Sequence, residues 1–119
     1  MKKLKIPWIT SEYRRRLKKY FDNIDEIIDR IKQILDKEFG EGNYEVFLFG
    51  SVAENDYTLA SDIDILVVSN KVPPRSSERA KILAKIFKEI GIDAPLEIHL
   101  AKPEQLEWYR RFAKKMIKK

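Results

Sequence analysis

Gly50-Ser51-Val52-Ala53-Glu54-Asn55-Asp56-Tyr57-Thr58-Leu59-Ala60-Ser61-Asp62-Ile63-Asp64-Ile65-Leu66-Val67-Val68 is the most informative stretch of this chain. Its last part, Ile63 to Val68, is apolar and β-branched, which predicts a buried strand. Successive side chains on a strand point to opposite faces. Asp62 and Asp64 therefore share one face, while Ile63, Ile65 and Val67 enter a core on the other. Two carboxylates held that close repel each other unless a cation lies between them. At the other end, Gly50-Ser51 follows the aromatic run Tyr44-Glu45-Val46-Phe47-Leu48-Phe49, which predicts a second buried strand, and precedes a helical turn. Glycine lets the backbone approach a ligand closely, and free N–H groups at a helix start beside a serine hydroxyl make an anion site. Anion cradle and carboxylate pair would face each other across one edge of a sheet, an arrangement suited to phosphoryl or nucleotidyl transfer.

Upstream of this stretch, apolar residues recur at helical spacing: Tyr13, Leu17, Tyr20, Phe21, Ile24, Ile27, Ile28, Ile31, Ile34 and Leu35. They predict a long amphipathic helix over 11–38, capped by Thr10 or Ser11, with Asp22-Asn23 as a candidate break and Gly40 and Gly42 as its end. Downstream, Asn70 to Pro74 reads as a loop. Ser76 or Ser77 opens a second helix that buries Ala80, Leu83, Ala84, Ile86, Phe87 and Ile90 and stops at Gly91. Pro95 to Leu100 predicts a third strand. Pro103 suits the first turn of a final helix over 103–119, with Leu106, Tyr109, Phe112, Ala113 and Met116 inward. The expected order is α-β-(short α)-β-α-β-α, a small sheet with helices packed on it and its core within 44–100.

With 119 residues, 44% apolar and 36% charged, the chain is expected to form a single domain over 1–119. It contains no cysteine, which excludes thiolate zinc sites, disulfide frameworks and cysteine nucleophiles. No apolar stretch approaches the roughly 18 residues that span a bilayer. The basic start, Met1-Lys2-Lys3-Leu4-Lys5, lacks the apolar region of a signal peptide, so a cytoplasmic location is the default expectation. A net charge of +5 would attract phosphate-bearing ligands or an acidic partner, but does not by itself imply nucleic-acid binding. The basic runs Arg14-Arg15-Arg16-Leu17-Lys18-Lys19 and Arg110-Arg111-Phe112-Ala113-Lys114-Lys115 are expected to be the wet faces of amphipathic helices.

A two-metal site needs a further carboxylate, and the third strand offers Glu97. Leu96, Ile98 and Leu100 alternate there against Glu97 and His99, so Glu97 lies on a polar face and is expected to join Asp62 and Asp64 as catalytic and metal-binding residues. His99 is the only histidine, expected at most to assist and not to ligate. Oxygen ligands beside a phosphate substrate favour magnesium, and manganese would also suit them. In the mechanism these residues suggest, one metal binds the triphosphate through Asp62 and Asp64. A second metal, aided by Glu97, lowers the pKa of an acceptor hydroxyl that attacks the α-phosphorus in line.

Gly-Ser, ten residues, Asp-x-Asp in a strand and a later acidic residue on another strand resemble the signature of the DNA polymerase beta-like nucleotidyltransferase superfamily. The form Ser61-Asp62-Ile63-Asp64-Ile65-Leu66-Val67 is similar to the minimal nucleotidyltransferases of archaea and bacteria. The resemblance implies an α+β fold, a small mixed β-sheet flanked by helices. It places Gly50, Ser51 and Ser61 at the nucleotide and Asp62, Asp64 and Glu97 at the metals. It further implies transfer of AMP from ATP, a helical HEPN toxin partner, and an antitoxin role in which a tyrosine of that partner is adenylylated. A core this small has little surface to enclose an acceptor, so a homo-oligomer or a partner that completes the cleft is expected. The alternative is a catalytically weak antitoxin that neutralises its partner by covering it. Many minimal members carry Arg-Gly where this sequence has Glu54-Asn55, so a phosphate-binding cation is missing there; Lys71, Arg75 and Arg79 are the substitutes to consider. Trp8, Tyr13, Trp108 and Tyr109 belong either to the core or to a docking surface.

Overall fold

A computed structural model describes residues 11–119. Four strands form one sheet in the order β3-β2-β1-β4, with β1 at Glu45–Phe49, β2 at Ile63–Val68, β3 at Leu96–Ala101 and β4 at Met116–Lys118. β1 is antiparallel to β2 and β4, whereas β2 and β3 are parallel. The sheet is therefore mixed and the fold is α+β. A parallel pair cannot be joined by a tight turn, and the helix α4, Ser76–Ile90, supplies the crossover.

The alternation of side chains divides the apolar residues between two faces. Val46, Leu48, Ile63, Ile65, Val67 and Leu96 join residues of two helices in the larger cluster. Those helices are α2 (Ile24–Phe39), which contributes Ile28, Ile31 and Leu35, and α4, which contributes Ile82 and Ile86. On the opposite face Phe47, Leu66, Val68 and Ala101 pack against Met116 and against Leu106 and Tyr109 of α5, Leu106–Phe112. Because both faces are covered, β2 reads as an almost unbroken apolar run, and Asp64 stands out within it.

The expected helix over 11–38 is two helices, α1 at Ser11–Asp22 and α2, divided at Asn23. The Asn23 side-chain amide donates to the Lys19 carbonyl (2.7 Å), and the Asn23 carbonyl accepts the Ile27 N–H (3.0 Å). One residue thus closes the first helix and opens the second. Trp8, Thr10 and the basic start lie outside the described residues.

The expected helix over 103–119 is corrected more deeply. It is a 3-10 turn at Pro103–Gln105, then α5, and after Phe112 the chain extends into β4. Without β4, β1 would expose an edge of unpaired backbone groups over a buried core. Met116 and Ile117 satisfy that edge and bury side chains on opposite faces, as strand residues do. This pairing outweighs the helical propensity of the segment. No helix among the described residues is long and apolar enough to cross a membrane.

Candidate active site

Strand register builds the site. Met116, Phe49, Asp64 and Glu97 form one row across the four strands, and Phe47, Leu66 and His99 lie in the next row. Asp64 is paired directly with Glu97 along the parallel β2–β3 ladder, and with Phe49 on β1. Both carboxylates project from the face that carries α5. The clefts among α1, α2 and α4, lined by Arg16, Lys19, Tyr20, Arg30 and Ile90, belong to the other face and are remote from this chemistry.

The short helix α3, Gly50–Ala53, begins immediately after Phe49. Gly50 has φ +74°, and a Cβ at this position would collide with the Asp64 carboxylate. Glycine is thus required twice over, by its backbone conformation and by the acid it touches. The contact sets the start of α3 against Asp64, so the glycine turn and the carboxylate meet. Ser51 sits in this first turn and is half-buried. The Ser61 hydroxyl oxygen accepts the Thr58 N–H (3.0 Å), which commits it to the turn leading into β2.

Asp62 is exposed just before β2. Its charge acts on Asp64, yet its oxygens fall outside the compact donor set. That set is Asp64, Glu97 and His99, whose donor atoms lie within 4.8 Å of one another. His99 Nε2 is 3.2 Å from Glu97 Oε1, and Tyr109 Oη is 3.3 Å from His99 Nδ1. Burial, followed by the charges of Glu97 and Asp62, pushes the Asp64 carboxyl up to about 6. A divalent cation would relieve that repulsion. Two carboxylates and an imidazole within one coordination sphere's span are a donor set that can hold one.

The sequence alone gives little weight to His99 and Tyr109. The alternation that turned Glu97 to the polar face also turned His99 there, but the tyrosine behind it arrives from α5. Of the substitute cations, Arg79 donates to the carbonyls of Pro73 and Pro74. Lys71 and Arg75 follow the far end of β2, on the order of 15 Å of strand from Asp64. None of the three serves the site. Asn55 has φ +56°, a left-handed conformation that asparagine adopts more readily than most residues, and Glu54 beside it supplies no positive charge.

A mixed sheet with in-register carboxylates, facing a glycine-lined helix start, defines a nucleotidyltransferase with a DNA polymerase beta-like core. The sequence pattern of the nucleotidyltransferase domain family matches residues 28–119, and the chain belongs to that family. It is 33% identical over 66 residues to a Methanocaldococcus jannaschii protein named "putative protein adenylyltransferase". That similarity covers 56% of this chain and 45% of the relative, so the chain spans about half of the relative's length. A crystal structure of a "putative nucleotidyltransferase" superposes with a TM-score of 0.63 at 31% identity, covering 77% of this chain and 96% of that one. A second, from Sulfolobus solfataricus, gives a TM-score of 0.57 at 19% identity over 86% of this chain and 80% of that one, a likeness of fold.

Proposed function

We propose that this enzyme transfers AMP from ATP to a protein hydroxyl, specifically a tyrosine of a helical HEPN-type partner, and thereby acts as an antitoxin. The observation that carries the proposal is the pairing of Asp64 with Glu97 directly beside the Gly50 turn. The name of the M. jannaschii relative supports a protein acceptor.

Asp64 and Glu97 would hold the divalent metal, with Asp62 adding its charge from the turn before β2. Bound there, a divalent metal would screen the triphosphate charge and lower the pKa of the acceptor hydroxyl. The N–H groups after Gly50, with the Ser51 hydroxyl, orient the phosphates. The acceptor oxygen forms its bond to the α-phosphorus, the bond from that phosphorus to the bridging oxygen of pyrophosphate breaks, and the hydroxyl proton passes to Glu97. Trp108 and Phe112 are 56% and 69% exposed on α5, with rings 4.6 Å apart and Trp108 against Tyr109; they offer a partner an apolar foothold on the helix that brings Tyr109 to His99.

The test is incubation with α-labelled ATP, magnesium or manganese, and the helical protein encoded beside this one. Label should appear on a partner tyrosine and vanish with Asp64→Asn. A second reading, protection by covering alone, is favoured by the acidic Glu54 where relatives carry a cation. If Asp64→Asn protects as well as the native chain and no label ever transfers, that second reading holds and the first fails.

A further inference from the structure

We infer that His99 is a ligand of the divalent cation through Nε2, completing an Asp64–Glu97–His99 set, and that this nitrogen turns the site from magnesium toward manganese. The inference deepens the proposed function and rests on its metal dependence.

Geometry supports it first. Glu97 and His99 are two apart on β3, so both side chains leave the same face, and Asp64 comes alongside through the parallel register. The 3.2 Å between His99 Nε2 and Glu97 Oε1 fits a hydrogen bond. It fits neighbouring ligands equally well. Two metal–ligand bonds of about 2.1 Å meeting at a right angle put their donor atoms about 3 Å apart. One ion can therefore take both atoms without either side chain leaving its place.

The second support lies behind the ring. A ligating histidine is usually fixed by a hydrogen bond at its other nitrogen. Here Tyr109 Oη stands 3.3 Å from Nδ1. Phe49 and Tyr109 flank the imidazole, with centroids 5.5 and 5.6 Å away. A phenol hydroxyl can donate to Nδ1 when Nε2 carries a proton, and accept from Nδ1–H when Nε2 carries a metal. Tyr109 therefore fits both states of the ring and aims Nε2 at the carboxylates.

Donor chemistry gives the selectivity. Magnesium holds to oxygen ligands and gives up water reluctantly. Imidazole suits transition ions, and manganese among them keeps an oxygen-rich octahedral shell that phosphate oxygens can complete.

The experiment is Mn2+ titration of the full chain, alone and with a non-hydrolysable ATP analogue, read by pulsed electron paramagnetic resonance for directly coordinated 14N and by calorimetry against Mg2+. Native protein should show nitrogen coupling. His99→Ala should lose it and bind Mn2+ about tenfold more weakly, with Mg2+ affinity little changed. His99→Gln, which keeps the bulk of the ring, should lose the coupling too, and circular dichroism confirms that each variant is folded. Tyr109→Phe should keep the coupling and weaken Mn2+ binding. Bound Mn2+ without nitrogen coupling in the native chain, or an unchanged Mn2+ to Mg2+ ratio in both His99 variants, overturns the assignment while leaving metal-dependent transfer standing. Absence of any divalent binding, or binding indifferent to Asp64→Asn, overturns the proposed function and this inference with it.

Discussion

Asp64 carries a charge that its surroundings oppose. Its carboxyl rises from 3.8 to about 6, first through burial and then through the charges of Glu97 and Asp62. Between those two values the folded chain holds a proton that the unfolded chain has released. Stability from this group is therefore fully present below the unfolded value and is lost as pH climbs through the folded one. Asp64→Asn removes the liability along with the chemistry. In metal-free urea unfolding, the variant should match the native chain near pH 4 and exceed it by about 1 kcal/mol at pH 7, a figure already discounted for solvent screening of a half-exposed group. Label transfer by the same variant should disappear. Equal stability at both pH values would mean that Asp64 is not under electrostatic load in the folded chain.

At the scale of elements, β4 changes the meaning of the C-terminal basic run. Met116 pairs with Phe49, and Gly50 follows Phe49, so Lys115 is delivered to the end of the sheet where α3 begins. A replacement for the missing cation can come from there. Replacing Lys114 and Lys115 together by alanine should raise KM for ATP about tenfold with a smaller change in kcat, while Lys71→Ala should leave KM alone; steady-state kinetics would separate the two. The first three strands are legible in the sequence because alternation and β-branching mark them. β4 is not, since three residues after a lysine pair have no period of their own and are placed by the open edge of β1. Gly50, Asp64 and Glu97 can be read from spacing because two-residue strand periodicity translates into faces. The distance from Asp62 to the donor set depends on a turn that spacing does not describe. His99 shares its face with Glu97, but the tyrosine that orients its ring is brought by α5 from ten residues further along.

The described residues form a helix-backed sheet whose reactive row lies at one end, with Glu97 exposed. Such an open shelf leaves enclosure of the acceptor to whatever docks by α5. β3 is an outermost strand in the order β3-β2-β1-β4, and the β2–β3 ladder is also where the proposed ligands are divided between two strands. A cation gripped from both sides would rivet the margin of the sheet to its interior, and occupancy at a hundred times Kd is worth about 2.7 kcal/mol of folding free energy. Amide protons of Leu96–Ala101 should then exchange more slowly with Mn2+ present, and those of α1 should not. In such an enzyme, cofactor supply doubles as quality control: a chain starved of metal is idle and, at the same seam, loose.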